Sequence, residues 1–465
     1  MQCTVSERLV DILCQRANQD PNGLLFTRGQ QSWSNGEFYA VCRRLASRLQ
    51  EDAGSAGAIG VSAESSGLLP FLIWSSVLAK VDLWLLPALP TESALQQSIR
   101  SLPLQVVYSD ARILEENERV RPLSGLLEDL PSEDIDLPID SDGRSAFVFQ
   151  TSGTEGAPKS IRCEHWQFAR VIAAMSTCGA LEHANGVRAY ISQPLQHSYG
   201  LCSFLEYCAA GASILLPAER SPLGPVGDLM NTGDLVQAIE GVPYFWSQFA
   251  QLQTRLDLPA LRHLGIGGGR VDPAVMQKVL TRYPHATVSV RYGLTETPSV
   301  ATHKIYKPPH GNNWSSSGRI VPAYQVEIHD STGHVVSSGT EGEIVVSGEA
   351  VAVPSRVLHT GDLGYFDEAN ELVVTGRRSA FIKRRGYRLS PEAIESVAAD
   401  CSGVVDCRAI GRDERLILEV VGPDELSIPL LMEQLRHQLP SAMVPDEVQR
   451  VQSIERTYSG KIKRS

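Results

Sequence analysis

Several features that mark other classes of protein are missing from this 465-residue sequence. No Cys-x-x-Cys pair occurs among the nine cysteines, so their spacing favours neither a zinc site nor a disulfide framework. The N-terminal stretch MQCTVSERLVDILCQRANQD contains no long apolar run, which argues against a signal peptide or a membrane-spanning helix. No dense basic run occurs either, and 42 basic against 53 acidic side chains give a formal charge of −11. We therefore expect a cytoplasmic protein with reduced thiols, no nucleic-acid partner and no membrane insertion.

The patterns that are present predict an α/β fold in two domains. Helix-like segments such as SNGEFYAVCRRLASRLQ alternate with short apolar runs such as AFVFQ, as in layered α/β structures. After about residue 315, VEIHDSTGHVV and GEIVVSG alternate apolar and polar residues as antiparallel strands do. We predict a large N-terminal domain over residues 1–378, with layered α/β subdomains and a β-rich subdomain. A small, mobile α+β C-terminal domain is predicted over 379–465, where helices fit PEAIESVAAD and IPLLMEQLRHQL.

The stretch TSGTEGAPKS, residues 151–160, is close to a Walker A phosphate loop but cannot have its geometry. Pro158 stands where that pattern requires its second glycine, and proline has no N–H to donate to a phosphate. Hydroxyl groups, a glycine and one lysine can still bind phosphate through hydrogen bonds and charge. Taken alone, the stretch is equally consistent with a surface linker. The candidate phosphate-binding residues are Thr151, Ser152, Gly153, Thr154 and Lys159.

Five motifs occur in a characteristic order along nearly the whole chain. They are TSGTEGAPKS, YGLTET at 292–297, HTGDLGYFDE at 359–368, GRRSAFIKRRGYRLSPEAIE at 376–395 and RTYSGKIKRS at 456–465. In this order they resemble the motifs of the adenylate-forming superfamily, which includes acyl-CoA synthetases, aryl-acid ligases, luciferases and peptide-synthetase adenylation domains. The resemblance implies that a carboxylate attacks the α-phosphate of MgATP and expels pyrophosphate, after which a thiol takes the acyl group from the acyl-adenylate.

The resemblance also implies a set of nucleotide-binding residues. Glu296 matches the magnesium-associated glutamate of the superfamily, and carboxylate oxygen is a ligand that Mg²⁺ prefers. Thr295 matches a phosphate contact, and Tyr292 matches the residue that lies against adenine. Asp362 would accept hydrogen bonds from both ribose hydroxyls, and Arg377 would hold the nucleotide from the hinge side. Each residue alone would be interpreted as a surface charge or a core tyrosine, whereas their joint order favours an ATP site.

Residues of the small domain are implied to act in both half-reactions. Lys461 matches the lysine that bridges the carboxylate and the α-phosphate, and nearby Lys463 is interpreted as a surface charge. Gly386 matches a loop that enters the site for thioester formation, although it also fits a turn that needs positive φ. A basic cluster around it can meet the phosphates of a pantetheine-bearing partner, or can be a solvated strand edge. The cluster consists of Lys383, Arg384, Arg385 and Arg388.

The stretch QPLQHSYGL bears on which class of carboxylic acid is the substrate. His197 and Ser198 resemble the His-Asn or His-Ser pair of acyl- and aryl-acid members, whereas amino-acid-activating domains have Phe-Asp there. Ser198 cannot supply a negative charge to an α-ammonium group, so we predict an acid without one. Gly268 in GIGGGRV matches a turn near adenine and the acyl pocket, and Gly293 joins it in the predicted substrate-binding set.

The sequence thus predicts an acid–thiol ligase that uses ATP and Mg²⁺. It would pass an aryl, or a short- or medium-chain acyl, group to coenzyme A or to a phosphopantetheinylated carrier protein acting in trans. One alternative is a stand-alone amino-acid adenylation enzyme that acts on such a carrier, and another is a catalytically idle nucleotide sensor. Phe245 and Trp246 in GVPYFWSQF fit a short or aromatic-lined pocket, and core packing explains them equally well.

Overall fold

The structure is a computed structural model, and the placement of most of the chain is described. The described residues are 8–63, 67–86, 99–100, 102–110, 119–128, 130, 144–151, 159–217, 224–232, 235–252, 256–311, 313–378, 382–384, 387–389, 391–412, 415–440, 443–456 and 462–463.

Ten α-helices lie in the described part of the chain. The helices predicted in SNGEFYAVCRRLASRLQ, in PEAIESVAAD and in IPLLMEQLRHQL are confirmed as α2, α9 and α10. The helices are α1 Leu9–Gln19, α2 Asn35–Ala53, α3 Leu69–Ala79, α4 His165–Thr177, α5 Ser198–Ala209, α6 Gly224–Thr232, α7 Pro243–Leu252, α8 Pro273–Arg282, α9 Pro391–Ala399 and α10 Ile428–Gln438.

Twenty-four strands are described, and they confirm the predicted run AFVFQ and the alternation after residue 315. The strands before residue 300 are β1 Leu24–Arg28, β2 Gln31–Ser34, β3 Ala58–Ser62, β4 Asp82–Leu86, β5 Val106–Ser109, β6 Val120–Pro122, β7 Ala146–Thr151, β8 Lys159–Glu164, β9 Arg188–Ile191, β10 Ser213–Leu215, β11 Ala238–Gly241, β12 His263–Ile266 and β13 Thr287–Tyr292. The later strands are β14 Thr302–Tyr306, β15 Ser316–Ile320, β16 Gln325–His329, β17 Gly342–Ser347, β18 Val357–Phe366, β19 Leu372–Arg377, β20 Ile382–Arg384, β21 Tyr387–Leu389, β22 Asp406–Arg412, β23 Arg415–Val421 and β24 Glu447–Arg450.

Two large sheets organise the part of the chain before residue 378. One has the order β6-β5-β3-β4-β7-β8, parallel except for the antiparallel β7–β8 pair. The other has thirteen strands in the order β16-β17-β18-β19-β15-β14-β13-β12-β11-β9-β10-β1-β2. Its strands β9, β11, β12 and β13 are parallel, and β14 to β19 pair antiparallel. The strand β15 joins these regions, because it pairs with β14 on one side and with β19 on the other.

Local chemistry sets the ends of the helices that support these sheets. Ser34 accepts a hydrogen bond from the Glu37 backbone N–H, and the Glu37 carboxylate accepts one from the Ser34 N–H, so a capping box opens α2. Asp272 caps α8, and Pro273 follows at a position where its missing N–H costs nothing. Of the described helices, none combines the length and apolar character needed to cross a membrane.

The segment after residue 381 has a hydrophobic core of its own. Strands β22, β23 and β24 form a three-stranded sheet, β20 and β21 form a two-stranded one, and α9 and α10 pack with them. The core cluster runs from Ile382 to Leu439 and includes no residue of the larger sheets. The predicted boundary at 378/379, and the mobility of the small domain, stay predictions.

Candidate active site

Tyr292, Asp362 and Arg377 come together on three strands of the larger sheet. Tyr292 ends β13, while Asp362 on β18 and Arg377 on β19 are register partners. The Tyr292 hydroxyl donates to Asp362 Oδ2 at 2.9 Å, and Arg377 Nε lies 3.4 Å from Asp362 Oδ1. Burial, reinforced by the charge of Asp362, raises the pKa of Tyr292, so the phenol keeps its proton and stays a donor. Three residues predicted to hold adenosine are thus neighbours.

The segment YGLTETPS forms a tight turn that begins at Gly293. A Cβ atom on Gly293 would lie 2.1 Å from the Ser299 carbonyl oxygen, so only glycine fits the backbone there. The Thr297 hydroxyl accepts a hydrogen bond from the Leu294 N–H at 2.9 Å, and Tyr324 donates to the Thr297 carbonyl at 2.7 Å. Ser299 has a left-handed φ of 73°. These constraints hold the backbone of the residues between them in one arrangement.

Thr295 and Glu296 occupy this turn. Cys163 of β8 donates to the Thr295 carbonyl at 3.2 Å, and the Ala352 N–H donates to the Glu296 carbonyl at 2.7 Å. The Glu296 side chain is half-buried, and within the described residues its carboxylate forms no hydrogen bond or ion pair. Burial and the nearby charge of Glu296 raise the pKa of the Cys163 thiol, which keeps it protonated and unreactive. An uncommitted carboxylate on a fixed turn fits the metal predicted for Glu296.

The predicted acid-binding residues lie at the same edge of the sheet. His197 precedes the first residue of α5, and Ser198 Oγ lies 3.3 Å from Thr295 Oγ1. Gly268 is exposed and has a φ of +76°, which favours glycine in the turn after β12. These turns follow β9, β12 and β13, which are parallel strands, so their carboxyl ends meet. That edge is where ligands bind in open α/β sheets.

The predicted phosphate loop is described only at its two ends. Thr151 ends β7 and Lys159 begins β8, and the two are register partners in the antiparallel pair. Lys159 is exposed, and Cys163 on the same strand contacts the turn that contains Thr295. The β7–β8 hairpin therefore adjoins the candidate site. Several predicted residues lie outside the described residues, namely Ser152, Gly153, Thr154, Gly386 and Lys461, as does the side chain of Thr151.

Three residues for which the sequence left a ligand-binding role open make contacts inside the protein. Arg384, assigned to a cluster that meets a partner's phosphates, is buried, pairs with Asp446 and donates to the Val444 carbonyl at 2.7 Å. Its charge is therefore paired within the segment that follows residue 381. Phe245 and Trp246 are buried in a core cluster, where Trp246 Nε1 donates to the Gly265 carbonyl at 3.1 Å. Both aromatic residues thus pack in the core, and the short or aromatic-lined pocket stays a prediction.

A buried charge cluster behind the candidate site was not found from the sequence. Arg291, next to Tyr292, places Nη1 2.5 Å from Glu206 Oε2 and Nη2 3.5 Å from Glu240 Oε1. Tyr199 donates to Glu240 Oε2 at 2.6 Å, and the side chains of Arg291 and both glutamates are at most 1 % exposed. Burial lowers the pKa of Arg291, but the two carboxylates more than offset this and hold it above its usual value. The signal available in the sequence was a single charge within each of the apolar segments SVRY, FLEY and AIEG.

Two histidines extend this cluster. The rings of His183 and His263 stack with centroids 3.6 Å apart, and His183 Nε2 lies 4.0 Å from Glu240 Oε1. Burial is the main cause that lowers the pKa of each histidine, so both are neutral. Their ligand atoms and those of Glu240 lie within 4.8 Å of one another. The Arg291 guanidinium already supplies the positive charge next to Glu240, so the group forms a charge-compensated core.

Comparison with known proteins agrees with this architecture. A luciferin 4-monooxygenase from Luciola mingrelica is 27% identical over 299 residues, which cover 59% of this chain and 53% of the relative. This chain thus spans about half the length of that curated relative. An AMP complex of o-succinylbenzoate coenzyme A synthetase from Bacillus subtilis has a TM-score of 0.81 at 20% identity, covering 97% of this chain and 96% of the other. A benzoate CoA ligase from Burkholderia xenovorans LB400 has a TM-score of 0.82 at 16% identity, covering 98% of each chain. The model of the AMP-binding enzyme family matches residues 13–353, and the chain therefore belongs to that family, within the adenylate-forming superfamily that its motifs indicate.

Proposed function

We propose that this protein joins a carboxylic acid without an α-amino group to a thiol, in two steps that consume ATP. In the first, a carboxylate oxygen bonds to the α-phosphorus, the bond to the bridging oxygen breaks, and pyrophosphate leaves. In the second, a thiol attacks the acyl carbon and loses its proton, and AMP departs with the electrons of the C–O bond. The acceptor is coenzyme A or the phosphopantetheine of a carrier protein.

The observation that supports this proposal most directly is the meeting of nucleotide and acid residues at one edge of the sheet. Asp362, held by Tyr292 and Arg377, presents a carboxylate suited to the two ribose hydroxyls. Glu296 would hold Mg²⁺, which neutralises phosphate charge when bound. Ser198 lies beside Thr295, so the acid-binding residue adjoins the predicted phosphate contact. Lys461 is proposed to bridge the carboxylate and the α-phosphate.

Two observations bear on the acid. Two enzymes with solved structures of similar fold are named for benzoate and for o-succinylbenzoate, and this supports an aryl acid as the substrate. Tyr199 follows Ser198 and packs against the turn after β12, because a Cβ on Gly267 would lie 2.7 Å from the tyrosine ring. An aromatic ring thus stands next to the proposed acid site. The uncharged Ser198 disfavours the alternative of an amino-acid adenylation enzyme.

The decisive experiment is carboxylate-dependent ATP–pyrophosphate exchange with benzoate, butyrate, hexanoate and phenylalanine. Exchange with benzoate or a fatty acid, but not with phenylalanine, is the expected result. We expect Lys461→Ala to lower exchange by at least about 100-fold, because a charge that stabilises the transition state is lost. Thioester formation from a preformed acyl-adenylate should persist. Lys463→Ala is the matched control and should leave both reactions intact, whereas equal loss of both half-reactions in Lys461→Ala would contradict the assigned role.

A substitution at Gly386 should have the opposite effect to Lys461→Ala on the two half-reactions. If this position belongs to the channel for the pantetheine arm, Gly386→Leu should keep exchange and lose thioester product. If it serves only a turn that needs positive φ, both half-reactions should fall together with the melting temperature. Measuring exchange, thioester yield and melting on one preparation separates the two, and normal thioester yield would exclude the channel.

A further inference from the structure

Arg456 and Tyr244 form a contact between the chain that follows β24 and the start of α7. The guanidinium carbon of Arg456 lies 4.5 Å from the centroid of the Tyr244 ring, within the range of a cation–π interaction. The Tyr244 ring is partly exposed, and the Arg456 side chain is 19% exposed. The contact therefore joins the small domain to α7 across a surface that water can reach.

On the side of the small domain, Arg456 is held by Asp406 of the three-stranded sheet and by Ile462. Its Nη2 donates to both Asp406 oxygens, at 2.6 and 2.8 Å, and Asp406 is the first residue of β22. Arg456 also pairs with Ile462 in an antiparallel β-bridge, and the Lys463 N–H donates to the Glu455 carbonyl at 2.9 Å. Ile462 is the residue after Lys461. Arg456 is therefore paired with the residue that follows Lys461 in the sequence.

On the other side, Tyr244 lies in the first turn of α7, which follows β11 of the sheet that contains the candidate site. Val242 connects β11 to α7, and Pro243 is the first residue of that helix. A Cβ on Gly268 would lie 3.4 Å from Val242, and one on Gly269 would lie 3.1 Å from Pro243, so the glycine turn packs against the start of α7. Tyr244 is thus anchored beside the turn predicted to line the acid pocket.

We infer that Arg456 and Tyr244 are positioning residues, which register the segment bearing Lys461 on the acid-site edge for adenylate formation. This inference rests on the proposed function for its catalytic consequence. A cation over a partly exposed ring is a directional but weak contact, so it can form for the first half-reaction and break before the second. Neither residue needs to touch ATP or the acid, because Arg456 acts through the pairing with Ile462.

The kinetic test removes the ring and then restores it. Tyr244→Leu should lower the exchange rate about five-fold, the worth of one such contact, and leave thioester formation from a preformed acyl-adenylate unchanged. Tyr244→Phe keeps the ring and should behave like the wild type. Tyr39→Leu is the matched control, because Arg43 stands over that ring at 5.8 Å on α2. Wild-type exchange in Tyr244→Leu, or an equal fall in both half-reactions, would overturn the inference.

A second test does not depend on activity. The variant Tyr244→Cys/Arg456→Cys, made in a Cys178→Ser background to remove an exposed thiol, is treated with a short bismaleimide in the presence of MgATP. Peptide mapping should find positions 244 and 456 joined, and the single-cysteine variants should give no such product. Absence of this crosslink overturns the inference even if the protein turns over no acid. If the double-cysteine variant crosslinks but the wild-type protein shows no ATP–pyrophosphate exchange, the contact is supported and the proposed reaction is refuted.

Discussion

At the scale of single residues, the carboxylate of Asp362 is the group on which nucleotide binding should depend most. Asp362→Asn keeps the shape of the side chain but removes the charged acceptor from Tyr292, Arg377 and the proposed ribose hydroxyls. Hydrogen bonds to charged groups are the stronger ones, so we expect the KM for ATP in the exchange assay to rise about ten-fold. Glu368→Gln, an equal charge change at an exposed position in the next turn, is the control. An unchanged KM for ATP would contradict the assignment.

The buried Arg291 makes a prediction about stability. Arg291→Met would leave Glu206 and Glu240 as uncompensated buried charges, which typically costs about 3–5 kcal/mol of unfolding free energy. Arg415→Met breaks an exposed pair with Glu447 and should cost less than about 1 kcal/mol. Urea unfolding of both variants measures the difference. Similar small losses would show that the cluster is not the charge-compensated core described above.

At the scale of elements, the turn after β13 links local backbone geometry to chemistry. Gly293→Ala would push a Cβ into the Ser299 carbonyl and shift the turn that contains Thr295 and Glu296. A displacement of roughly 1 Å at a reacting centre can cost about 100-fold, so we expect exchange to fall on that order while the fold is retained. Gly311→Ala adds the same atom where nothing lies within 4 Å, and should leave exchange unchanged. Equal activity in both variants would contradict the constraint.

The sequence was enough to predict motif residues and periodic helices, but not contacts that depend on tertiary packing. Tyr292, Asp362 and Arg377 were predicted as a group because each belongs to a motif, and the structure places them side by side. Periodicity found α2 and α10, since their apolar faces repeat at helical spacing. The pairing of Arg291 with Glu206 and Glu240 could not be found this way, because it depends on which face of α5 packs on which strand.

At the scale of the whole molecule, two acidic side chains face each other between α9 and α8. Burial and the charge of Asp272, at the start of α8, raise the pKa of Asp400, which follows α9. A carboxyl whose pKa is raised on docking favours the docked arrangement while protonated. That preference is lost as pH rises through its pKa, so the repulsion is present at neutral pH.

If the small domain moves as predicted, Asp400→Asn should therefore strengthen its docking on α8 at neutral pH. Because Asp400 is largely exposed, the effect is small, and we expect exchange to rise about two-fold while complete thioester turnover falls by a similar factor. At a pH below the ordinary pKa of an aspartate, variant and wild type should behave alike. Asp424→Asn, at a fully exposed position of the small domain, is the control. A loss of exchange at neutral pH would show that Asp400 favours docking instead.

The strand β15 bears on how the nucleotide site responds to thermal opening. Tyr292 and Asp362 lie on opposite sides of it, and the path between them along the sheet is β13-β14-β15-β19-β18. Amides of a strand that is paired on both sides exchange with solvent only when the ladder opens. Opening of β15 would interrupt the sheet between the strand of the tyrosine and that of the aspartate, so we expect it to disturb their contact. The rate of deuterium uptake at the β15 amides therefore reports how often the site opens. Because ATP binds the intact site, bound ATP should slow that uptake, and tighter binding should slow it more.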